Sequence, residues 1–182
     1  ILLGMLTALT ALSIDPTLSS MPEVAREFGV ENAVAQLSLI SFMIGIAAGQ
    51  LVIGPLADRF GRRPVILFAI VVYVAAATGG AMAADIQWLV GFRLIQGLAA
   101  CAGQILPRTV IRDKFESVDA AKLLSYVMMI HGIAPIIGPI LGAHLAVAMS
   151  WRAVYWFNVA YGSLVFIFVW TLLPESIPKR DL

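Results

Sequence analysis

Within the long apolar stretches of this 182-residue chain stand a few side chains able to hold a charge or exchange a proton, Asp15, Arg93, His131 and His144, with the polar amide of Gln96 near one of them. An ionisable group in hydrocarbon costs at least about 2.5–3.5 kcal/mol on insertion scales, so one is rarely kept there without a use. Asp15 precedes Pro16, which leaves the carbonyls of the preceding turn partly free. It lies about 21 Å along a helix that starts at Ile1, at 1.5 Å per residue. Two readings stand side by side: a titratable carboxylate suited to proton coupling, or a cap on a helix broken at Pro16. Arg93 stays protonated and so cannot itself pass on a proton. It can favour the charged form of a nearby carboxylate or bind the carbonyls of a kinked helix, and Gln96, one turn on, can share either role. His131 and His144 read as packing residues before relays, and Tyr126, Tyr155 and Asn158 read as packing residues before substrate contacts. Hydrolytic chemistry lacks its constellations, because the chain has no paired intramembrane aspartates, no His-Glu-x-x-His and no Gly-x-Ser-x-Gly. The single cysteine, Cys101, excludes an internal disulfide or a multi-cysteine metal site. The expectation is a protein that is not an enzyme and needs no cofactor or metal.

The elements that must position these groups follow from composition. The chain is 60% hydrophobic and 13% charged, with a mean hydropathy of +0.93, against about 45–50% apolar and 25% charged in soluble domains. A net charge of +1 gives no basic face for nucleic acid. Six apolar runs approach the roughly 20 residues that cross a hydrocarbon core: 1–18, 33–56, 65–82, 86–106, 123–149 and 154–173. The fifth is overlong and carries Pro135 and Pro139, so it should tilt, kink or start late. The first lacks a charged leader and cleavage site and reads as a true span. Opening on Ile1 suggests a trimmed N-terminus.

Basic residues near span ends mark the cytoplasmic side. Arg59, Arg62 and Arg63 fall between the second and third runs, Arg108, Arg112, Lys114 and Lys122 between the fourth and fifth, and Lys179 and Arg180 after the sixth. The alternate connections hold only Arg26 among Glu23, Glu27 and Glu31, then Asp85, then Arg152. Both termini are therefore expected in the cytoplasm. Trp88, Trp151, Tyr155 and Trp156 fall at the outer ends and read as interface anchors.

The joint between the second and third runs, Gly54-Pro55-Leu56-Ala57-Asp58-Arg59-Phe60-Gly61-Arg62-Arg63-Pro64-Val65, is physically unusual. Asp58 ends a helix, where the macrodipole already presents negative charge, so it needs compensation. Arg59 and Arg62 are near enough to give it, Gly54 admits the positive N-terminus of another helix, and Gly61 makes the turn. At every defining position these residues match the loop motif Gly-x-x-x-Asp-Arg-x-Gly-Arg-Arg/Lys, and here the chain resembles the major facilitator superfamily. Leu89 to Gly97, with Arg93 and Gln96-Gly97, is similar to that family's fourth-helix motif. Pro135, Gly138-Pro139 and Gly142 resemble the antiporter motif of drug exporters, although Ala134 and Ala143 stand where glycines are often found. Ser13-Ile14-Asp15 ending at Pro22, Arg108 to Asp113, and Leu173-Pro174-Glu175-Ser176 resemble the bicyclomycin-resistance (Bcr/CflA) multidrug efflux branch, with Thr17 and Ser19 in place of its usual tyrosine and proline.

The resemblance implies an all-α membrane fold, two inverted three-helix repeats making the N-terminal half of a major facilitator transporter, with the C-terminal six-helix bundle absent. Ile53-Gly54-Pro55-Leu56 and Ile137-Gly138-Pro139-Ile140 echo that repeat. It further implies a proton-coupled drug/proton antiporter of the inner (plasma) membrane, active in multidrug efflux and antibiotic resistance. Its partners would be protons, a small-molecule substrate, the lipid bilayer and the missing bundle, with Arg93 near the proton path. An importer, a metabolite exporter, or a half-size protein that pairs with a partner bundle without transporting remain the alternatives. The end at Lys179 to Leu182, where an inter-half linker would begin, favours a fragment.

Overall fold

A chain this apolar can place its backbone in hydrocarbon only by satisfying every peptide group internally, which long helices do. The computed structural model describes residues 2–115 and 117–173, and within them six helices follow one another: α1 (Leu2–Phe28), α2 (Asn32–Phe60), α3 (Arg62–Ala81), α4 (Ile86–Lys114), α5 (Ser117–Ala148) and α6 (Trp151–Leu172). All six are long and apolar enough to cross a membrane, and the described residues contain no strand. Ile1, the Pro174-Glu175-Ser176 sequence and the segment from Lys179 to Leu182 lie outside the described residues.

Local chemistry explains the joints. Asp85 caps α4 by accepting the Trp88 backbone N–H at 2.9 Å. Gly61 alone separates α2 from α3 and takes φ 95° with ψ 155°, a backbone conformation that side chains with a Cβ rarely adopt. Helix α1 runs through Pro16 and Pro22 to Phe28, so Glu23, Arg26 and Glu27 lie on a helix and not in a loop. Hydroxyls keep the turns around Pro16 supplied with donors: Ser13 donates to Leu9 O at 2.6 Å, Thr17 to Ser13 O at 2.8 Å and Ser20 to Thr17 O at 2.9 Å.

Lipid tails are as apolar as leucine, so helices in a membrane associate through close packing and polar contacts more than through hydrophobic burial. The α2–α4 pair is built this way. Gly45 and Gly49 sit four apart on α2, and Gly97 and Cys101 sit four apart on α4. A Cβ on Gly45 would collide with the Leu94 carbonyl, and one on Gly97 with the carbonyl of Phe42. Ser41 then donates across the interface to Val90 O at 3.0 Å.

Two of the expected interface anchors belong to the core. Trp151 and Tyr155 are fully buried. The extension of α1 covers them: the Phe28 ring lies 5.5 Å from Trp151 at a tilt of 60°, the Trp151 indole N–H donates to Glu27 at 2.6 Å, and Tyr155 meets Trp151 edge-on at 5.6 Å. Reading α1 as ending near Leu18 left that cover unseen. Trp88 and Trp156 are exposed, as an anchor must be.

A valine at Gly97 should therefore force α2 and α4 apart, costing about 1–3 kcal/mol or more, because the opposing atoms are backbone and cannot turn aside. Alanine at Gly54, which has nothing within 4 Å of its Cβ position, should leave the thermal midpoint in detergent unchanged or raised. Equal losses in both variants would contradict the packing described.

Candidate functional site

The centre of the bundle holds a buried cation. Arg93 on α4 is fully buried. Its Nη1 donates to Gln96 Oε1 at 3.1 Å and its Nη2 to the Ser13 carbonyl at 3.0 Å. The guanidinium lies 4.2 Å from the centroid of Phe42 and 5.7 Å from that of Tyr155. Ser13 Oγ already donates to Leu9 O, so the 2.5 Å contact between Ser13 Oγ and Tyr73 Oη has tyrosine as donor. Helices α1, α2, α3, α4 and α6 thus each send a group to this point. Among the described residues no carboxylate forms an ion pair with Arg93; of the two partners considered for it, the structure supplies a carbonyl. That carbonyl belongs to the turn opened by Pro16 and also accepts from Thr17. Gln96 is fully buried and serves Arg93 directly. Tyr155 and Asn158 are fully buried too, and Tyr126 is exposed.

Asp15 sits on the other side of α1, against α5. Its Cβ occupies the space a side chain on Gly138 would need, and Pro16 does the same at Gly142. Two sites read separately from the sequence, the α1 carboxylate and the glycines of the α5 motif, therefore meet. Asp15 Oδ2 is buried with no hydrogen-bond partner. Pro135 and Pro139 lie on the exposed side of α5, and the Pro139 carbonyl accepts from Ser19 at 3.3 Å. His144 bonds its own helix, with Nδ1 2.9 Å from Ile140 O. His131 is half-buried on the same stripe of α5 as Gly138.

The loop motif forms a third cluster, at the end of the bundle where α2 meets α3. Arg62 pairs with Asp58 on the same turn, and its Nε donates to Asp113 Oδ2 on α4 at 3.2 Å. Arg63 donates to Trp170 O on α6 at 2.7 Å. Arg59 lies 5.3 Å over Phe60; of the two arginines expected beside Asp58, Arg62 is the one in contact. Gly54 faces open space. Asp113 was named in the sequence only within a run of residues, and its pairing with Arg62 bridges positions 51 apart, beyond what local spacing reveals. At the opposite end, Glu27 binds Trp151 and Arg152, and Arg152 also donates to Ala83 O at 3.3 Å.

Six spans around a fully buried arginine, with a buried Asp15 oxygen that has no hydrogen-bond partner among the described residues and an arginine-rich hairpin at one end, define a polytopic membrane protein. The chain belongs to the Major Facilitator Superfamily, whose family model matches residues 2–182. It is 33% identical over 179 residues to the uncharacterized MFS-type transporter YdgK of Bacillus subtilis (strain 168), covering 97% of this chain and 44% of that protein. It is 30% identical over 179 residues to a bicyclomycin resistance protein homolog of Haemophilus influenzae, covering 98% of this chain and 45% of that protein. The chain thus spans about half the length of the curated relatives it matches. A solved bacterial homolog of the human lysosomal transporter Spinster, inward-facing and occupied, superposes with a TM-score of 0.77 at 20% identity, over 98% of this chain and 44% of that one. That likeness shows the fold alone.

Arg93→Lys tests the central cluster. An ammonium has no planar fork and cannot serve the Ser13 carbonyl and Gln96 while lying flat over Phe42. Thermal stability in detergent should fall by about 1–3 kcal/mol, the range for a lost charged hydrogen bond and an unsatisfied buried acceptor. A lysine variant as stable as wild type would show that the fork geometry is not needed.

Proposed function

We propose that this chain is the N-terminal six-helix half of a proton-coupled secondary transporter that exports small-molecule drugs or related compounds across the inner membrane. The observation that carries the reading is the meeting of Asp15 and Pro16 with Gly138 and Gly142. An acid lodged at a glycine-lined helix contact is sensitive to how the two helices sit, so proton occupancy and helix packing are tied at one point. Arg93 and Gln96 hold the opposite face of α1 through Ser13, which keeps the Pro16 turn in place while Asp15 titrates. The name of the Haemophilus relative, a bicyclomycin resistance protein homolog, supports drugs as the substrate class.

The arginine-rich hairpin of Gly54, Asp58, Arg59, Gly61, Arg62 and Arg63 is read as the conformational element. The Asp58 side chain remains two-thirds exposed, at 66%, even with Arg62 bound, and open space beside Gly54 leaves room for an approaching helix. A second six-helix bundle would meet α2 and α5, which expose Leu51, Val52, Ile136 and Ile140. Basic residues collect at the hairpin end, against Arg26 and Arg152 at the other, which supports cytoplasmic termini.

Asp15→Asn tests the coupling reading, because asparagine keeps the size and most hydrogen bonding but carries no proton. Proton-driven efflux by the full-length protein should fall on the order of a hundredfold, the low end of what a positioned proton-transfer group contributes. If Asp15 only caps the turn at Pro16, asparagine caps as well, and both the initial rate and its pH profile would stay unchanged.

Orientation is tested by cysteine labelling in a Cys101→Ser background. A cysteine beside Arg62 should react only with a reagent on the cytoplasmic side, and one beside Glu27 only with a reagent outside. Reversed labelling would overturn the topology.

A further inference from the structure

Helices α1 and α5 lie against each other over a long strip. Gly4 meets Ile130 near one end, Asp15 meets Gly138, and Pro16 meets Gly142 beyond it. On α5 the strip is the stripe Val127, His131, Ala134, Gly138 and Gly142, whose spacings of three and four residues keep it on one face. Each of these is buried except His131, which is half-buried. His131 therefore lies on the α1-facing stripe two turns from the glycine that Asp15 covers, about 10 Å along the axis. Asp15 lies in this seam against Gly138, and since side chains on a helix lean toward its N-terminus, its carboxylate reaches back along α1 toward the level of His131.

The groups that surround Asp15 are otherwise engaged elsewhere. From α4, Arg93 is committed to Ser13 O and Gln96. From α3, Tyr73 is bonded to Ser13. From α6, Tyr161 donates to Met5 O at 3.0 Å, and Tyr155 faces Arg93. The ionisable residues of α2, Asp58 and Arg59, lie at its far end, and on α5 His144 is bonded to Ile140 O, with Asp119 and Lys122 in the first two turns. Asp15 Oδ2 has no hydrogen-bond partner among the described residues.

We propose that Asp15 and His131 titrate as one coupled pair across the α1–α5 seam, with His131 the residue that sets how readily Asp15 gives up its proton. The inference rests on the reading of Asp15 as the coupling acid and assigns that site a second member. The pair passes through three charge states. Neutral acid with imidazolium carries +1; loss of the carboxyl proton gives carboxylate with imidazolium, a neutral pair in a low-dielectric seam; loss of the ring proton leaves the carboxylate alone at −1. Burial in a low-dielectric seam opposes the carboxylate, and a charged ring on the facing helix reduces that opposition, so the middle state depends on His131. His131 does not touch substrate in this scheme and acts as a positioning residue.

The test reads Asp15 protonation directly. Dicyclohexylcarbodiimide modifies protonated carboxyl groups in apolar settings, so its reaction with Asp15, followed by mass spectrometry against pH in the full-length protein, reports the proton. At neutral pH, H131Q should raise labelling of Asp15 several-fold, because no imidazolium remains to favour the carboxylate. H131R, with a permanent charge, should lower it several-fold and remove the histidine step from the profile. A mere disturbance of packing would move both variants the same way, and that result, like an unchanged profile in both, would overturn the pair. Efflux by D15N separates the two readings. If D15N transports normally while H131Q and H131R still shift labelling in opposite directions, the pair stands and the coupling role of Asp15 falls.

Discussion

A guanidinium that forms no ion pair among the described residues, fully enclosed among membrane helices, is the constraint around which the rest is arranged. Taking such an ion out of water costs several kcal/mol even after relaxation, and the cost is offset only where its donors and faces are met. Arg93 is met by a carbonyl, an amide and two aromatic faces, the last two each contributing on the order of 1–2 kcal/mol when desolvated. Each partner brings its helix with it. The close approach of α2 to α4 at Gly45 and Gly97 places Phe42 under the guanidinium, and Ser13 gives α1 a carbonyl to offer. Five helices are thus fixed relative to one another around a single buried cation.

The ends of the bundle are tied separately. Arg62 joins the α2–α3 hairpin to Asp113 on α4, while Glu27 and Arg152 join the ends of α1, α3 and α6. Helix α5 takes part in neither tie. Only 17% of its most apolar window is buried, against 56% for α1 and for α4, so it is the least embedded element and is held chiefly by its glycine contact with α1. A helix fixed along one seam is free to respond to what happens in that seam. The seam is where Asp15 lies.

Much of this was legible in the sequence, because a membrane leaves few ways to fold. Apolar length gave six helices, the hairpin motif gave the family, and the expense of intramembrane charge singled out Asp15 and Arg93. What stayed hidden depends on long-range pairing. Nothing near Asp113 announces Arg62 as its partner, and nothing near Ser13 announces that its carbonyl serves Arg93 on α4. The burial of Trp151 and Tyr155 went unread because the first apolar run ends at Leu18, whereas the helix continues through Pro22 to Phe28 and covers them. A proline removes one donor; side-chain hydroxyls and neighbouring helices can make up the loss.

The alanines at 134 and 143 show how geometry refines a motif. In the sequence they weaken the likeness to the antiporter helix, since glycine is often found at both. In the fold the two positions are not equivalent to Gly138 and Gly142. Ala143 lies on the exposed side of α5. Ala134 is buried in the α1-facing stripe, one turn before Gly138, and packs there with its Cβ in place. The carboxylate side chain and proline backbone of α1 press on Gly138 and Gly142 instead, and at those two positions any side chain would displace Asp15 or Pro16. The steric demand of the seam falls on the glycines this chain retains, so the two substitutions leave the contact between the acid and α5 intact.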